Sequence, residues 1–203
     1  MLSFSRCDYL GLTSHPKVIS AAKEAIEKYG TSASSSRLMG GTTELHIQIE
    51  KKIANFLEAE DAIVFLLGYL ANLGTIPELI AKGDCVIVDS KAHASLIDAC
   101  FLSERQGGKI LVYKHNDMLD LEKELKKAGQ VAHKLIVTDG IFSMDGDIAK
   151  LDEIYSLARA HNAGIMVDDA HAIGILGQTG KGTPEYFGLN GKIDLLMGTL
   201  SKA

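Results

Sequence analysis

Two short motifs in this sequence combine side chains that could act on one ligand. Asp168 and His171 share the segment VDDAH, and Thr199 and Lys202 share the segment GTLSK. A carboxylate at the position of Asp168 could pair with a buried cation, and His171 could reach a neighbouring oxygen of the same ligand. A lysine directly after a buried apolar strand is partly dehydrated, which favours a nucleophilic amine that forms a Schiff base with an aldehyde. Thr199 could offer a hydroxyl to a phosphate.

The VDDAH segment also admits two other interpretations. Asp and His are good ligands for zinc or iron, but a third ligand at convincing spacing is missing, so we favour a site without a metal. In the simplest structural interpretation, Asp168 caps the turn that follows it and His171 is an ordinary loop residue. For this segment taken alone, the structural interpretation is favoured by about two to one, because fold-level patterns do not fix function.

Three further residues stand where predicted elements meet, and each has a functional and a structural interpretation. Gly68 opens a predicted helix whose first amides could hold a phosphate, although helix entry alone would explain a glycine. His93 precedes another helix. Its ring could stack on a flat ligand, or it could simply be a neighbour of the residue that caps that helix. Ser143 could hydrogen-bond to a phenolic oxygen or cap a turn. With Asp168 and Lys202 they suit pyridoxal 5'-phosphate, which needs an amine, a carboxylate at its ring nitrogen, phosphate donors and a flat neighbour.

Alternating predicted strands and helices indicate how these residues are positioned. Strands are predicted at residues 61–66, 84–89, 109–113, 133–140, 163–169 and 193–200. A helix is predicted between each successive pair of the first five strands, and two helices precede the first strand. The strands are continuous apolar runs, which are typical of strands buried on both faces. We therefore predict right-handed βαβ units and a mostly parallel sheet. Ligands bind outside the carboxyl ends of such strands, so the candidate side chains are expected to converge there.

The composition argues against several other classes of protein. The 203 residues carry a net charge of -5, whereas proteins that bind nucleic acids or membrane surfaces usually show a basic face. Hydrophobic residues make up 46% of the chain, enough for a core, but no apolar run approaches the length of a membrane span. The three cysteines form no CxxC pair, and the N-terminus lacks a signal-peptide pattern. We therefore expect a cytoplasmic globular protein without a metal site.

The motifs, taken in order along the chain, resemble those of the α-oxoamine synthases, a branch of the fold-type I pyridoxal-phosphate enzymes. The segments that carry the resemblance are DYLGL, SRLMGGTTELH, LGYLANLG, KAHASL, HND, DGIFSMDGDIAKL, VDDAHAIGILGQTGKG and GTLSKA. The resemblance implies an α/β fold of three layers, α/β/α, with a mostly parallel sheet, as in the large domain of those transferases. It implies a lead-in segment and first helix at residues 1–42, and a partial cofactor-binding large domain at residues 43–203.

The resemblance also implies a role for each candidate residue. Lys202 would bind the aldehyde of pyridoxal 5'-phosphate and later remove the α-proton of the amino-acid substrate, and Asp168 would face the pyridine nitrogen. The other implied contacts are stacking on the ring by His93, hydrogen bonds to the phenolic oxygen from His171 and Ser143, and phosphate contacts from Gly68, Tyr69 and Thr199. The implied reaction condenses an amino acid with an acyl thioester of coenzyme A or a carrier protein, and releases carbon dioxide. The implied assembly is a homodimer.

This sequence departs from the family pattern near the expected substrate and phosphate contacts. Cys7 stands where the family usually has an asparagine, and a thiol is a poorer hydrogen-bond donor. Leu67 stands where a serine is common, and the segment SASSSR replaces a more glycine-rich loop. The family continues past the position of Lys202 into a small C-terminal domain. We therefore expect residues 1–203 to be a truncated large domain that turns over substrate poorly when expressed alone.

Two functions of other classes compete with this one. A non-catalytic homologue could serve as a scaffold or a regulatory partner, but it would need none of Lys202, Asp168 and His171. A nucleotide-binding α/β domain would need either GxGxxG after its first strand or the phosphate-loop motif GxxxxGK followed by Ser or Thr. The sequence has neither motif, so an enzyme that uses pyridoxal 5'-phosphate is the favoured hypothesis.

Overall fold

The computed structural model describes residues 6–203, which form two compact units. The first unit contains residues 6–64 and 201–203, and the second contains residues 65–200. The beginning of the predicted lead-in segment, residues 1–5, lies outside the described residues. All candidate site residues except Lys202 belong to the second unit, and Lys202 belongs to the first.

The first unit is built on two helices whose starts are marked in the sequence. Helix α1 spans Pro16–Tyr29 and begins behind His15, whose ring Nδ1 accepts a backbone amide of the first turn at 3.3 Å. The N-cap is His15, because a proline at the first helical position places the cap directly before it. Helix α2 spans Glu44–Leu57 and begins behind its N-cap, Thr43.

The segment at residues 61–66 does not form a strand, which corrects the sequence-based prediction. A π-type turn at Arg37–Gly41 brings the guanidinium of Arg37 onto the carboxylate of Glu50 in a bidentate contact. Glu50 Oε1 accepts the Val64 amide at 2.8 Å, and Arg37 Nη1 donates to the Val64 carbonyl at 3.3 Å. Because side chains take both backbone groups of Val64, those groups are not available to a neighbouring strand.

The second unit is a parallel sheet with helices on both faces. Its strands are β1 Cys85–Asp89, β2 Lys109–Tyr113, β3 Lys134–Asp139, β4 Gly164–Asp168 and β5 Leu195–Met197, in the spatial order β2-β1-β3-β4-β5. Every adjacent pair is parallel. The helices are α3 Gly68–Leu79, α4 Ala94–Arg105, α5 Met118–Ala128, α6 Leu151–His161 and the short α7 Thr183–Tyr186. The other predicted strands and helices are confirmed, and α7 is an element that the apolar periodicity did not predict.

The core of the second unit explains why its strands are apolar throughout. Val86 and Val88 of β1 pack toward α3 and α4, whereas Cys85 and Ile87 of the same strand pack toward α5 and α6. Successive residues of the strand thus face different helical layers, so none of them meets water. This is the predicted α/β/α arrangement. None of the described helices is long and apolar enough to cross a membrane.

Candidate functional site

Three buried aspartates lie at the carboxyl edge of the sheet. Asp89 ends β1, Asp139 ends β3 and Asp168 ends β4, and their exposed fractions are 0%, 3% and 3%. The strand register places Asp168 between Asp139 and Met197 of β5. Burying a carboxylate costs free energy unless hydrogen bonds compensate it. The hydrogen-bond donors to each carboxylate therefore indicate what each aspartate does.

Asp89 and Asp139 hold the backbone of the loops at this edge. Asp89 accepts the amide of Lys91 at 2.8 Å and the amide of Asn116 at 3.0 Å. Asp139 accepts the amide of His93 at 2.8 Å. The backbone of His93, a candidate site residue, is thus fixed from the neighbouring strand.

Asp168 is different because a side chain from another element donates to it. Asn72 of α3 donates from Nδ2 to Asp168 Oδ2 at 2.9 Å, and the Ala170 amide donates to Oδ1 at 3.1 Å. The same Asn72 nitrogen lies 2.8 Å from Ser95 Oγ, and that oxygen lies 2.7 Å from Nδ1 of His93. A continuous hydrogen-bond chain therefore joins Asp168 to His93.

Sequence reasoning did not identify Asn72 or Ser95 as members of this site. Both are buried, and they lie on α3 and α4, which pack against each other. The available signal was an amide residue one turn after Gly68, between the apolar residues Ala71 and Leu73. Because buried amides are retained only where they find partners, that position in LGYLANLG could have been marked as a candidate.

The start of α3 brings Gly68 and Tyr69 to the same edge. The residue before the helix is Leu67, whose apolar side chain makes no cap hydrogen bond, so the first amides are not satisfied in the usual way. A Cβ added to Gly68 would lie 3.4 Å from the Met197 side chain at the end of β5. The rings of Tyr69 and His93 meet edge to face with 6.5 Å between centroids. Contacts within the unit therefore connect the start of α3 with His93 and β5.

Ser143, His171 and Thr199 follow the ends of three different strands. Ser143 is exposed in the loop after β3, which an antiparallel bridge between Ile141 and Ile148 closes. His171 is partly buried in the turn directly after β4, and Thr199 is partly buried two residues after β5. These positions agree with the expectation that the candidates gather at the carboxyl edge, and their roles stay predictions.

The loop that carries Ser143 is held by a histidine and an asparagine from the loop after β2. His115 Nε2 lies 3.0 Å from Asp147 Oδ2, and Asn116 Nδ2 donates to the same oxygen at 2.7 Å. Among the described residues, His115, Asp145 and Asp147 could together offer atoms to a cation. Both ring nitrogens of His115 already face carboxylates, and Lys91 pairs with Asp145 at 3.0 Å. This cluster therefore explains the loop's position without a metal.

Lys202 lies in the first unit. Its carbonyl accepts the amide of Tyr9, a residue of the same unit, at 2.8 Å. The side chain of Lys202 is partly exposed. The structure thus divides the predicted site residues, with Gly68, Tyr69, His93 and Asp168 joined by contacts in one unit and the lysine in the other.

Asp169, the neighbour of Asp168, is a buried carboxylate with a structural task. The Thr183 amide donates to Oδ2 at 2.8 Å and the Thr183 hydroxyl donates to Oδ1 at 2.5 Å. A Cβ added to Gly140 or Gly182 would lie within 2 Å of an Asp169 oxygen, at 1.9 Å and 1.8 Å respectively. Burial raises the pKa of Asp169 to about 6, which the Thr183 hydrogen bonds only partly counteract. The carboxylate therefore ties the loop after β4 to the start of α7.

We expect Asp169→Asn to make the protein more stable than the wild type at neutral and alkaline pH. Because folding raises the pKa of Asp169 from 3.8 to about 6, its favourable contribution is complete below pH 4 and is lost as the pH rises through 6. An amide keeps both Thr183 contacts without a charge, because its oxygen can accept the Thr183 amide while its nitrogen donates to the Thr183 hydroxyl oxygen. The gain above pH 7 is therefore up to about 3 kcal/mol. Urea unfolding of both proteins from pH 4 to 8 measures it. A difference in unfolding free energy that does not change with pH contradicts the expectation.

The chain is similar to proteins of one family over its whole length. The family model described as aminotransferase class I and II matches residues 1–203. An 8-amino-7-oxononanoate synthase from Lysinibacillus sphaericus is 50% identical over 202 residues, which cover 100% of this chain and 51% of that protein. A serine palmitoyltransferase from Sphingobacterium spiritivorum is 45% identical over 203 residues, which cover 100% of this chain and 50% of that protein.

The fold is also similar to that of a solved structure. A serine palmitoyltransferase variant from S. paucimobilis, solved with a bound PLP-myriocin aldimine, has a TM-score of 0.92 and 41% identity. The match covers 97% of this chain and 48% of that one. The chain spans about half the length of the curated relatives it matches.

Proposed function

This chain belongs to the aminotransferase class I and II family, and from that premise we propose that it carries out an α-oxoamine synthase reaction. In this reaction an amino acid condenses with an acyl thioester, and carbon dioxide is released. The observation that carries the proposal is the network from Asp168 through Asn72 and Ser95 to His93, at the carboxyl edge of a parallel sheet. It holds a buried carboxylate and an aromatic ring together beside the first turn of α3.

The residues of the second unit fit pyridoxal 5'-phosphate, the cofactor that the family and the PLP-bound relative indicate. Asp168 makes no ion pair among the described residues and has acceptor capacity left after its two hydrogen bonds. The first amides of α3 have no side-chain cap, so they are suited to a phosphate. When bound, the cofactor acts as an electron sink for the bonds at the α-carbon of an amino acid.

Each candidate residue has a defined task in this proposal. Asp168 holds the proton on the pyridine nitrogen, and His93 packs against one face of the ring. Lys202 supplies the amine that binds the aldehyde and takes the α-proton of the substrate. The remaining tasks are hydrogen bonds to the phenolic oxygen from Ser143 and His171, and phosphate contacts from the backbone of Gly68 and Tyr69 and the hydroxyl of Thr199.

Within this reaction class we propose 8-amino-7-oxononanoate synthesis from alanine and a pimeloyl thioester, a step of biotin biosynthesis. The relative with this name is 50% identical to the chain, and the serine palmitoyltransferase is 45% identical. The alternatives are therefore condensation of serine with a palmitoyl thioester, or of glycine with an acetyl thioester. We further propose a cytoplasmic homodimer, with residues 43–203 forming part of the cofactor-binding large domain.

Mass spectrometry of the products tests the proposed substrates. The intact protein is loaded with pyridoxal 5'-phosphate and given alanine with pimeloyl thioester, serine with palmitoyl-CoA, or glycine with acetyl-CoA. The pimeloyl group is supplied both on coenzyme A and on a carrier protein. We expect 8-amino-7-oxononanoate in the first reaction. A product from another pair alone would replace the substrate assignment, and no product from any pair would contradict the synthase proposal.

A further inference from the structure

Asn72 occupies the centre of the network at the carboxyl edge, and its contacts have a defined direction. An ionised carboxylate can only accept hydrogen bonds, so the Asn72 atom that faces Asp168 Oδ2 at 2.9 Å must be the amide nitrogen. The second proton of that nitrogen points to Ser95 Oγ at 2.8 Å. Both donors of one amide are thus used to connect Asp168 with α4.

The Ser95 hydroxyl extends this connection to His93. Because Ser95 Oγ accepts from Asn72, its own proton is available for Nδ1 of His93 at 2.7 Å. The Ser95 amide donates to the same ring nitrogen at 3.2 Å. The ring is therefore held by two donors of Ser95, and one of them is oriented by Asn72.

The side-chain carbonyl of Asn72 indicates that packing alone does not account for an asparagine at this position. Asn72 is fully buried, and its Oδ1 has no hydrogen-bond partner among the described residues. A buried acceptor without a partner destabilises the fold, and an apolar side chain at this position would avoid that cost. The feature that an apolar residue cannot supply is the pair of donors toward Asp168 and Ser95.

We propose that Asn72 is a positioning residue that sets the orientation of the Asp168 carboxylate and couples it, through Ser95, to the His93 ring. This inference rests on the proposed function, because Asp168 and His93 are there the partners of the pyridine nitrogen and of the ring face. Asn72 lies one helical turn after Gly68, so the helix whose first amides face the phosphate also fixes the residue at the other end of the cofactor.

A double-mutant cycle on cofactor binding tests whether Asn72 acts through Asp168. The dissociation constant of pyridoxal 5'-phosphate is measured by titrating the cofactor-free intact protein and following its visible band. We expect Asn72→Ala to raise this constant roughly tenfold or more, as for one lost hydrogen bond to a charged group. In an Asp168→Ala background the same change is expected to have little further effect, whereas a purely structural role would give the same loss in both backgrounds.

The serines of α4 offer a matched pair of variants. Ser95→Ala removes the link between Asn72 and His93, so we expect a weaker cofactor affinity and a changed pH dependence of the visible band. Ser103→Ala changes another buried serine of the helix, whose hydroxyl donates to the Ala99 carbonyl at 3.1 Å. This control is expected to keep the wild-type dissociation constant and band. Ser95→Ala also keeps the proposal testable if Asn72→Ala does not fold.

The outcomes separate this inference from the function on which it rests. If the wild type acquires no visible band with the cofactor, the proposed function fails and the positioning role fails with it. If the wild type acquires the band but Asn72→Ala and Ser95→Ala bind the cofactor like Ser103→Ala, the positioning role alone is overturned. Equal losses from Asn72→Ala with and without Asp168 would also overturn it.

Discussion

Lys202→Ala is expected to abolish the visible absorbance band that the intact protein acquires with pyridoxal 5'-phosphate. The band depends on a covalent bond between the cofactor's aldehyde and a lysine amine, and alanine offers no nucleophile in its place. Turnover should fall by on the order of 10³-fold or more, because the same amine is proposed to carry the α-proton. Absorbance titration with the cofactor measures the first effect, and product formation measures the second.

A second lysine of the first unit serves as the control. Lys17 is exposed at the start of α1, and Lys17→Ala is expected to keep both the band and the turnover of the wild type. Persistence of the visible band in Lys202→Ala would show that another amine binds the aldehyde. The assignment of Lys202 would then be wrong even if the protein is an α-oxoamine synthase.

Asp168→Asn is expected to lower turnover by on the order of 10²-fold or more, as when a preorganised electrostatic contact is removed. The change removes the charge that would keep the pyridine nitrogen protonated. It also disturbs the network, because one carboxylate oxygen accepts from Asn72 and the other from the Ala170 amide. An amide has a single oxygen, so it leaves one of these donors without a partner, at a cost of about 1–3 kcal/mol of folding stability. Steady-state kinetics and urea unfolding measure the two effects.

The neighbouring residue provides the matched comparison for Asp168→Asn. Asp169→Asn also replaces a buried carboxylate by an amide, at the next position in the sequence. Both hydrogen-bond donors to the Asp169 carboxylate belong to Thr183. It is expected to retain turnover, whereas Asp168→Asn loses it. Equal turnover in the two variants would contradict the proposed contact between Asp168 and the cofactor.

The sheet and its flanking helices could be predicted because local and long-range signals agree there. The predicted strands that form are apolar at nearly every position, and the predicted helices are amphipathic or capped, as with Thr43 before α2. The carboxyl edge then follows from the parallel topology, which explains why Gly68, His93 and Asp168 could be placed together before their contacts were known.

The sequence-based predictions failed where side chains from distant positions decide the structure. The segment at residues 61–66 has the composition of a strand, but Arg37 and Glu50 bind the backbone of Val64. Neither residue is close to Val64 in the sequence, so no local pattern signals the competition. Asn72 was missed for a related reason, since its partner Asp168 lies 96 residues away.

The three aspartates at the strand ends have a consequence for how variants of this protein are interpreted. Replacing Asp139 would release the backbone of His93, and replacing Asp89 would release the loops that contain Lys91 and Asn116. Either change would lower activity while touching no atom of the cofactor or substrate. A mutational screen scored by activity alone would therefore count three catalytic aspartates, whereas we propose a contact with the cofactor for Asp168 alone. Measuring cofactor affinity and folding stability for each variant would distinguish the two aspartates that hold loops from the one that is proposed to contact the cofactor.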